Sequence, residues 1–73
     1  MIGEIIKHMR VSAGLSQTQL ADKLGIAQTT LSGYETNSSK PNYEIVEQIA
    51  TICEFELILR DKNSNEKIYL NKK

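Results

Sequence analysis

The sequence predicts a mainly α-helical protein, with a bundle of four helices over residues 1–54 and a C-terminal β-hairpin at about 55–70. Two observations predict the helices: apolar residues recur at three- and four-residue spacing, and glycine or capping residues separate the segments. A third observation predicts the hairpin, because apolar and polar residues alternate on both sides of a turn cluster after residue 54. Residues 1–54 are therefore expected to form one domain, and 55–73 an extension packed on it.

Length and composition limit the kinds of protein this can be. The chain has 73 residues, with nine basic and nine acidic side chains and no formal net charge. A single cysteine excludes an internal disulfide, and with only one histidine present no metal site or cofactor is expected. No apolar run is long enough to span a bilayer, and no signal peptide is evident, so a cytoplasmic protein is expected. The neutral charge counts against the simplest nucleic-acid-binding signature, a basic domain.

The first helix is predicted over residues 2–13, where the apolar residues that share one face are Ile2, Ile5 or Ile6, Met9 and Ala13. Gly14 is placed to end this helix, with Leu15 folding back as the hydrophobic contact of its C-cap. Ser16 then caps a second helix, and Gln19 three residues later completes a Ser-x-x-Gln capping box.

The second and third helices are predicted to meet at Gly25. The apolar residues on either side of it are Leu20, Ala21 and Leu24 before, and Ile26, Leu31 and Tyr34 after. A helix that stops and turns sharply favours a residue that tolerates positive φ, and a side chain as small as that of Ala21 lets a second helix cross closely. Such a pair is a helix-turn-helix unit. Ala27 is a poor N-cap for the third helix, by roughly 1 kcal/mol.

The polar side of the third helix carries short, uncharged side chains: Gln28, Thr29, Thr30 and Ser32. A solvated helix face more often carries Glu, Lys and Arg, which have better helix propensity. Amides and hydroxyls are the groups with which base edges and phosphate oxygens are read, and Gln suits a bidentate contact with adenine. These residues are therefore predicted to bind DNA. The alternative is an ordinary surface helix that is rich in threonine.

Two further segments offer groups for DNA phosphates. Gln17 and Thr18 lie at the start of the second helix, beside backbone N–H groups that favour an anion. A loop is predicted over residues 36–41, because Asn37 tolerates the left-handed conformation and Pro41 forces the residue before it to be extended. Its candidate contacts are Asn37, Ser38 and Lys40. An ordinary solvated turn is the alternative interpretation of this loop.

A fourth helix is predicted over residues 43–53, with Asn42 as its N-cap. Its wide apolar face consists of Ile45, Val46, Ile49, Ala50, Ile52 and Cys53. Cys53 on this face is interpreted as a small buried hydrophobe and not as a reactive thiol.

Residues 2–54 taken together resemble the phage-repressor type (Cro/cI, or XRE) of helix-turn-helix DNA-binding domain. The matching features are Arg10, Gly14-Leu15-Ser16-Gln17, Leu20-Ala21, Gly25, Leu31, Glu35, Pro41 and Ile49-Ala50. The resemblance implies a lambda-repressor-like bundle whose third helix lies in the major groove of DNA. It also implies that Gln17 touches a phosphate, that the polar residues of the third helix face bases or backbone, and that Arg10 and Glu35 form a structural ion pair.

The sequence departs from this family in ways that lower its expected affinity for DNA. Gly33 stands where such proteins often carry a long, basic side chain, and Asn37 replaces a common glycine. The cations through residue 40 are Lys7, Arg10, Lys23 and Lys40, against the acids Glu4, Asp22 and Glu35. Few counterions would be released on binding, so a monomer is expected to bind weakly. Two half-sites read by a homodimer would supply the missing affinity.

The hairpin is predicted from alternation around Asn63-Ser64. A loop centred there gives the cross-strand pairs Leu57–Leu70 and Leu59–Ile68 on one face and Ile58–Tyr69 on the other. Asp61 opposite Glu66 is an unfavourable pair of like charges. Since an isolated hairpin is marginal in water, it is expected to pack on the fourth helix, to join the hairpin of a second copy, or both. The six paired residues are the predicted dimerisation surface; the alternative is a hairpin that only completes the monomer core.

These observations favour a sequence-specific DNA-binding transcriptional regulator that acts as a dimer and represses by occupying an operator. The alternative is a protein-interaction module, for instance an antitoxin that binds a toxin through the hairpin. An enzyme is not expected, because His8 is the only histidine, Cys53 lies on an apolar face, and no phosphate loop or clustered carboxylate pair appears. Double-stranded DNA is the expected partner, with no cofactor and no membrane.

Overall fold

A computed structural model of the chain describes residues 1–71. It contains four helices and two strands: α1 Ile2–Ser12, α2 Gln17–Leu24, α3 Gln28–Glu35, α4 Tyr43–Ile52, β1 Ile58–Arg60 and β2 Lys67–Tyr69. The two strands form an antiparallel hairpin. The predicted fold class, a four-helix bundle with a C-terminal hairpin, is confirmed. The ends of α1 and α4 each lie one residue before their predicted positions.

All four helices end in the same backbone motif. After α1, the N–H of Leu15 donates to the carbonyl of Arg10 (3.1 Å) and that of Gly14 to Val11 (3.0 Å). This pair of bonds is a Schellman C-cap, and it requires a residue with positive φ, here +74° at Gly14. The cap was expected from the sequence, and it turns the chain directly into the start of α2.

The same motif follows α3, where Asn37 has φ of +63°, and also follows α2 and α4. Gly25 ends α2 with φ of +72°, as the sequence predicts, and Glu54 ends α4 with φ of +62°. A non-glycine residue in this conformation is uncommon, and glutamate gives no sequence signal for it. At the other end of α2 the predicted capping box is present: Gln19 N–H donates to Ser16 Oγ (3.0 Å), and Ser16 N–H donates to Gln19 Oε1 (2.8 Å).

The core lies where α1 and α2 both pack against α3 and α4. Its buried apolar residues are Ile6, Met9, Leu20, Ala21, Leu31, Ile49, Ala50 and Cys53. The choice left open in the first helix is settled in favour of Ile6, since Ile5 is 46% exposed. The expectation that Ala13 belongs to the apolar stripe is wrong, because α1 ends at Ser12 and Ala13 is its exposed C-cap. Burial raises the pKa of the Cys53 thiol, which suits its role as a core hydrophobe.

A close approach between α1 and α3 depends on Gly3. A Cβ at this position would lie 2.5 Å from the carbonyl oxygen of Glu35 and 2.6 Å from that of Tyr34. Since real Cβ atoms do not come so near to backbone oxygens, only glycine fits. Gly3 precedes Ile6 by three residues and so extends the buried face of α1.

The hairpin has the predicted register. Its paired residues are Ile58–Tyr69, Leu59–Ile68 and Arg60–Lys67. The bond from Leu70 N–H to the Leu57 carbonyl (2.8 Å) extends the pairing toward the helices. Asp61 and Glu66 do lie opposite each other, but Asp61 Oδ1 accepts from Asn63 N–H (2.8 Å) and Glu66 Oε1 from Ser64 Oγ (3.4 Å). Each of the two carboxylates therefore accepts a hydrogen bond within the turn, which offsets the repulsion between them.

The base of the hairpin is fastened to the bundle and its strands extend away from it. Phe55 and Leu57 pack on the core, and the ring of Phe55 meets that of His8 edge to face at 5.9 Å. Asn71 ties the base together: its Oδ1 accepts from Leu57 N–H (2.8 Å), and its Nδ2 donates to the Phe55 carbonyl (2.8 Å). Ile58 and the residues that follow it as far as Tyr69 are exposed.

Within residues 1–71, no helix is long and apolar enough to cross a membrane. The same part of the chain contains no group of three or more His, Cys, Asp or Glu side chains arranged to hold a metal ion.

Candidate nucleic-acid interface

Helix α3 presents its predicted recognition residues on the side opposite the core. Leu31 is fully buried beneath it, while Gln28, Thr29 and Thr30 are exposed and Ser32 is half-buried. The helix begins without a side-chain cap, as expected from Ala27 at that position. The polar face is therefore open to a ligand within the described part of the chain.

The exposed face of α3 is connected to a buried ion pair. Arg10 donates to both carboxylate oxygens of Glu35, from Nε to Oε2 (2.6 Å) and from Nη2 to Oε1 (3.0 Å). The side chains of Arg10 and Glu35 are only 12% and 3% exposed. Arg10 Nη1 also donates to the Leu15 carbonyl (2.9 Å), which holds the α1–α2 turn. The ion pair that the family resemblance implies is thus present, and it joins α1 to the end of α3.

Gln17 links this ion pair to α3. Its Nε2 donates to Glu35 Oε1 (3.0 Å), and its Oε1 accepts from Nε2 of Gln28 (2.6 Å). A continuous chain of side-chain bonds therefore runs from Arg10 through Glu35 and Gln17 to Gln28. It becomes more exposed along its length, since Glu35 is buried, Gln17 half-buried and Gln28 exposed.

The protonation state of Glu35 is fixed by its neighbours. Burial of the carboxyl raises its pKa, but the hydrogen bonds from Arg10 and Gln17 act in the opposite direction and prevail, so the pKa of Glu35 lies below its ordinary value. The pKa of Arg10 is raised, chiefly by its hydrogen bonds to Glu35. Both groups are charged at neutral pH, and neither is a spare charge for DNA.

The start of α2 lies beside the same face. Gln17 is the first residue of α2 and Thr18 the second, and Thr18 is exposed. The capping box uses the N–H of Gln19, so the N–H groups of Gln17 and Thr18 are those that remain at the open end of the helix. Because Gln17 contacts Gln28, the structure brings the predicted phosphate site of α2 together with the first predicted base contact of α3.

The loop after α3 is held by backbone bonds to Gly33. The carbonyl of Gly33 accepts from the N–H groups of Ser38 (2.9 Å) and Ser39 (3.2 Å). A Cβ on Gly33 would lie 2.9 Å from Ser39 Oγ. Glycine at this position, which departs from the family pattern, leaves room beside α3 for the Ser39 hydroxyl in its present rotamer. The structural reason for this glycine is not visible in the sequence.

The predicted phosphate contacts of the loop occupy different environments. Ser38 and Lys40 are exposed, and Ser38 Oγ exchanges a hydrogen bond with Thr36 Oγ1 (2.8 Å). Asn37 has the left-handed conformation expected of it, with φ of +63°. Its Oδ1 accepts from Gly3 N–H (3.0 Å) and its Nδ2 donates to Glu4 (3.2 Å), so its amide is directed to the start of α1. Asn37 therefore fastens the loop to α1.

The predicted dimerisation residues divide into two groups. Leu57 and Leu70 are half-buried at the base of the hairpin, and Leu57 packs on the core. The other four are exposed large hydrophobic residues: Ile58 (40%), Leu59 (59%), Ile68 (61%) and Tyr69 (39%). Exposed apolar residues grouped on one element are typical of an interaction surface.

Comparisons with known proteins agree with this geometry. The sequence pattern that defines the helix-turn-helix family matches residues 6–58. The chain is 36% identical over 70 residues to the "Uncharacterized HTH-type transcriptional regulator YqaE" of Bacillus subtilis (strain 168), covering 94% of this chain and 60% of the relative. It is 32% identical over 69 residues to the HTH-type transcriptional regulator SinR of Bacillus licheniformis, covering 90% of this chain and 62% of the relative. The chain thus spans about 60% of the length of these relatives. No solved structure matches it.

Proposed function

The chain belongs to the XRE-type helix-turn-helix family, and we propose that it is a sequence-specific DNA-binding transcriptional regulator whose α3 enters the major groove. Membership of this family confirms the sequence-based expectation that the domain is not an enzyme. The observation that carries the proposal is the hydrogen-bond chain that ends on Gln28, because it orients an exposed amide at the start of α3.

The amide chemistry of Gln28 supports a contact with adenine. A glutamine NH2 group has two donor hydrogens, and one of those on Gln28 is used by Gln17. The second hydrogen and the free Oε1 match the N7 acceptor and N6 donor of adenine in the major groove. Gln17 holds the side chain in place before DNA arrives, so less rotamer entropy is lost on binding. Thr29, Thr30 and Ser32 supply further hydroxyls to bases or backbone.

Phosphate contacts on either side of α3 set the register of the domain on DNA. Gln17 uses one Nε2 hydrogen for Glu35 and retains the other for a phosphate oxygen. Thr18 adds a hydroxyl and an open helix end, while Ser38 and Lys40 contact the backbone beyond the other end of α3. Asn37 is also exposed, and its bonds to α1 hold the loop in the position from which Ser38 and Lys40 contact the DNA backbone.

The regulator is proposed to act in the cytoplasm as a homodimer that represses transcription by occupying an operator. A net charge of zero leaves few cations to bind phosphates, so one domain alone gains little affinity. Two domains joined through the hairpin residues would read two half-sites, and the second contact would form at a high effective concentration.

Replacement of Gln28 by alanine tests the proposed readout. Gln28→Ala should weaken binding to the preferred site, selected from random DNA, by about 1–3 kcal/mol and leave binding to unrelated DNA nearly unchanged. Fluorescence anisotropy on both DNAs at one fixed salt concentration measures the two losses. Gln48→Ala is the matched control, because Gln48 is exposed on α4, away from the proposed interface.

Equal losses on the two DNAs would reassign Gln28 to a backbone contact. If the wild-type protein selects no preferred sequence from random DNA, the sequence-specific role itself is refuted.

A second candidate function, an antitoxin that binds a toxin through the hairpin, is favoured by the exposed residues Leu59 and Ile68. A toxin gene next to the gene for this chain, and a complex between the two purified products, would support that function.

A further inference from the structure

The outer edge of β1 carries backbone groups that the hairpin does not use. In an antiparallel pair, residues alternate between those whose N–H and C=O face the neighbouring strand and those whose groups face away. Leu57 and Asp61 bond to β2, through Leu70 N–H (2.8 Å) and the Glu66 carbonyl (2.8 Å). Ile58 and the residues two positions on either side of it must therefore direct their groups outward.

These outward groups belong to Glu56, Ile58 and Arg60. No backbone partner for Ile58 or Arg60 is recorded at this edge within residues 1–71. The side chains along the edge are exposed, and no helix packs extensively against β1 in the described part of the chain. An open strand edge with apolar side chains is a template for another strand.

The charges along the outer edge of β1 are complementary to those on the same edge of a second copy. When β1 is placed antiparallel to β1 of a second copy with Ile58 opposite Ile58, Glu56 of each copy lies opposite Arg60 of the other. The paired residues are those whose N–H and C=O groups face outward, so the backbone bonds and charge pairs form in the same register. Leu57 then lies opposite Leu59 of the second copy.

The outer edge of β2 lacks charges that would pair favourably with the same edge of a second copy. The outward residues there are Lys67, Tyr69 and Asn71, which include a cation but no acid. Antiparallel registers that use these residues place Lys67 opposite itself or opposite an uncharged side chain. The electrostatic pattern therefore favours β1 over β2 as the edge that meets a second copy.

We infer that two copies of this chain join through β1 in the Ile58-centred register, forming a continuous four-stranded antiparallel sheet. This inference deepens the proposed function, on which it rests for the biological use of the dimer. The register also explains the 59% exposure of Leu59 in a single copy. In the dimer Leu59 lies beside Leu57 of the second copy, which packs on that copy's own core.

Charge reversal across the interface tests this register with the full-length chain. Glu56→Arg and Arg60→Glu each place like charges opposite each other twice in a homodimer, so each variant should dimerise about tenfold or more weakly than wild type. An equimolar mixture of the two variants restores both opposite-charge pairs and should form heterodimers of about wild-type affinity. Sedimentation equilibrium with one variant fluorescently labelled measures all three constants.

Two controls separate the register from other effects. Lys62→Glu changes a charge in the hairpin turn, outside the paired segment, and should leave dimerisation unchanged. Hydrogen exchange should show amide protection at Ile58 and Arg60 that rises with protein concentration, while Leu59, already bonded to β2, stays protected throughout. Arg60 Nη1 also donates to Asn65 (2.8 Å), so persistent protection at Leu59 confirms that the Arg60→Glu hairpin is intact.

The inference is overturned if the wild-type chain remains monomeric at millimolar concentration. It is also overturned if the equimolar mixture dimerises no more tightly than each variant does alone. A dimer weakened by Lys62→Glu would assign a different register and also overturn it. Binding to a single half-site distinguishes these failures from failure of the proposed function. The charge variants should keep wild-type affinity for one half-site, since their substitutions lie outside α2 and α3.

Discussion

Glu35 is the residue on which the proposed DNA-binding side of the molecule depends. It is the buried charged residue of the core, and its carboxylate accepts three hydrogen bonds, two from Arg10 and one from Gln17. Withdrawing an ion from water is costly, and that cost is offset only when its partners are well placed. The Arg10–Glu35 geometry meets this condition, so removal of one partner should be far more damaging than removal of both.

Glu35→Gln should lower the free energy of unfolding by about 3 kcal/mol at pH 7, because it leaves the Arg10 guanidinium buried without a counter-ion. Urea denaturation followed by circular dichroism measures the change. The matched control is Arg10→Met combined with Glu35→Leu, which removes both charges and should cost clearly less, although the Leu15 carbonyl loses its donor. A double variant as unstable as Glu35→Gln would show that the pair has no special dependence on its charge balance.

The pKa of Glu35 makes this stability difference dependent on pH. The pKa is lower in the folded chain than in the unfolded chain, so the unfolded state binds more protons as the solution is acidified. The advantage of wild type over Glu35→Gln is full above the unfolded glutamate pKa of about 4.3 and is lost as pH falls through the lower folded value. If the stability difference between wild type and Glu35→Gln stays constant from pH 7 to pH 2, the lowered pKa of Glu35 is contradicted.

At the scale of elements, two glycines control how closely other segments approach α3. Gly3 brings α1 against the carbonyls of Tyr34 and Glu35, which are backbone atoms and cannot move away easily. Gly33 brings the loop against α3, but a Cβ there meets only Ser39 Oγ, which can rotate. The same substitution is therefore expected to have different effects on stability at the two positions.

Gly3→Ala should reduce the free energy of unfolding by about 1–3 kcal/mol, the usual cost of overpacking. Gly33→Ala should be neutral or stabilising by up to about 1 kcal/mol, since alanine is the better helix former. Thermal unfolding of the two variants at one protein concentration makes the comparison. A loss at Gly33 as large as at Gly3 would show that Ser39 is fixed in place.

Features that depend on neighbouring residues were predicted from the sequence more accurately than features that depend on distant ones. The capping box at Ser16 and the helix ends at Gly14 and Gly25 are local, and each was predicted from a few neighbouring residues. The end of α4 uses the same motif at Glu54, where no glycine marks it. Glutamate carries no local signal for a left-handed residue, so this helix end could not be recognised from its neighbours.

Contacts between distant segments were predicted less completely. The hairpin register followed from matching apolar residues, and the Arg10–Glu35 pair from family resemblance. The bonds of Gln17 to both Glu35 and Gln28 required knowledge of how α2 and α3 cross. Asn37 was predicted as a phosphate contact, and its bonds to α1 depend on the α1–α3 approach at Gly3, which the sequence does not reveal. These residue types were informative, but their partners were determined by the fold.

For the whole molecule, the balance of charge determines how strongly the proposed interface can attract DNA. The chain carries no formal net charge, and one of its cations in the helical part, Arg10, is neutralised by Glu35. Lys40 is the cation that the exposed loop offers to a phosphate. Sequence-independent attraction should therefore be weak, and each phosphate-binding cation should account for a measurable part of it.

Lys40→Ala should weaken binding to specific and non-specific DNA alike and reduce the slope of log affinity against log salt concentration by about 1. The slope is measured by repeating the binding titration at several salt concentrations. Lys62→Ala removes the same charge from the tip of the hairpin and serves as the control, with no change expected. An unaltered slope for Lys40→Ala would remove Lys40 from the phosphate contacts.

The decreasing burial from Glu35 through Gln17 to Gln28 has an evolutionary consequence. Under the proposed readout, substitutions at the exposed end of this hydrogen-bond chain should alter what the domain recognises while the bundle keeps its stability, whereas those at its buried end should destabilise the bundle. Gene duplicates of this domain are therefore free to diverge in target at positions 28–30 at little cost to stability. Loss of one member of the ion pair at positions 10 and 35 should be tolerated poorly, because it leaves a buried charge without a partner.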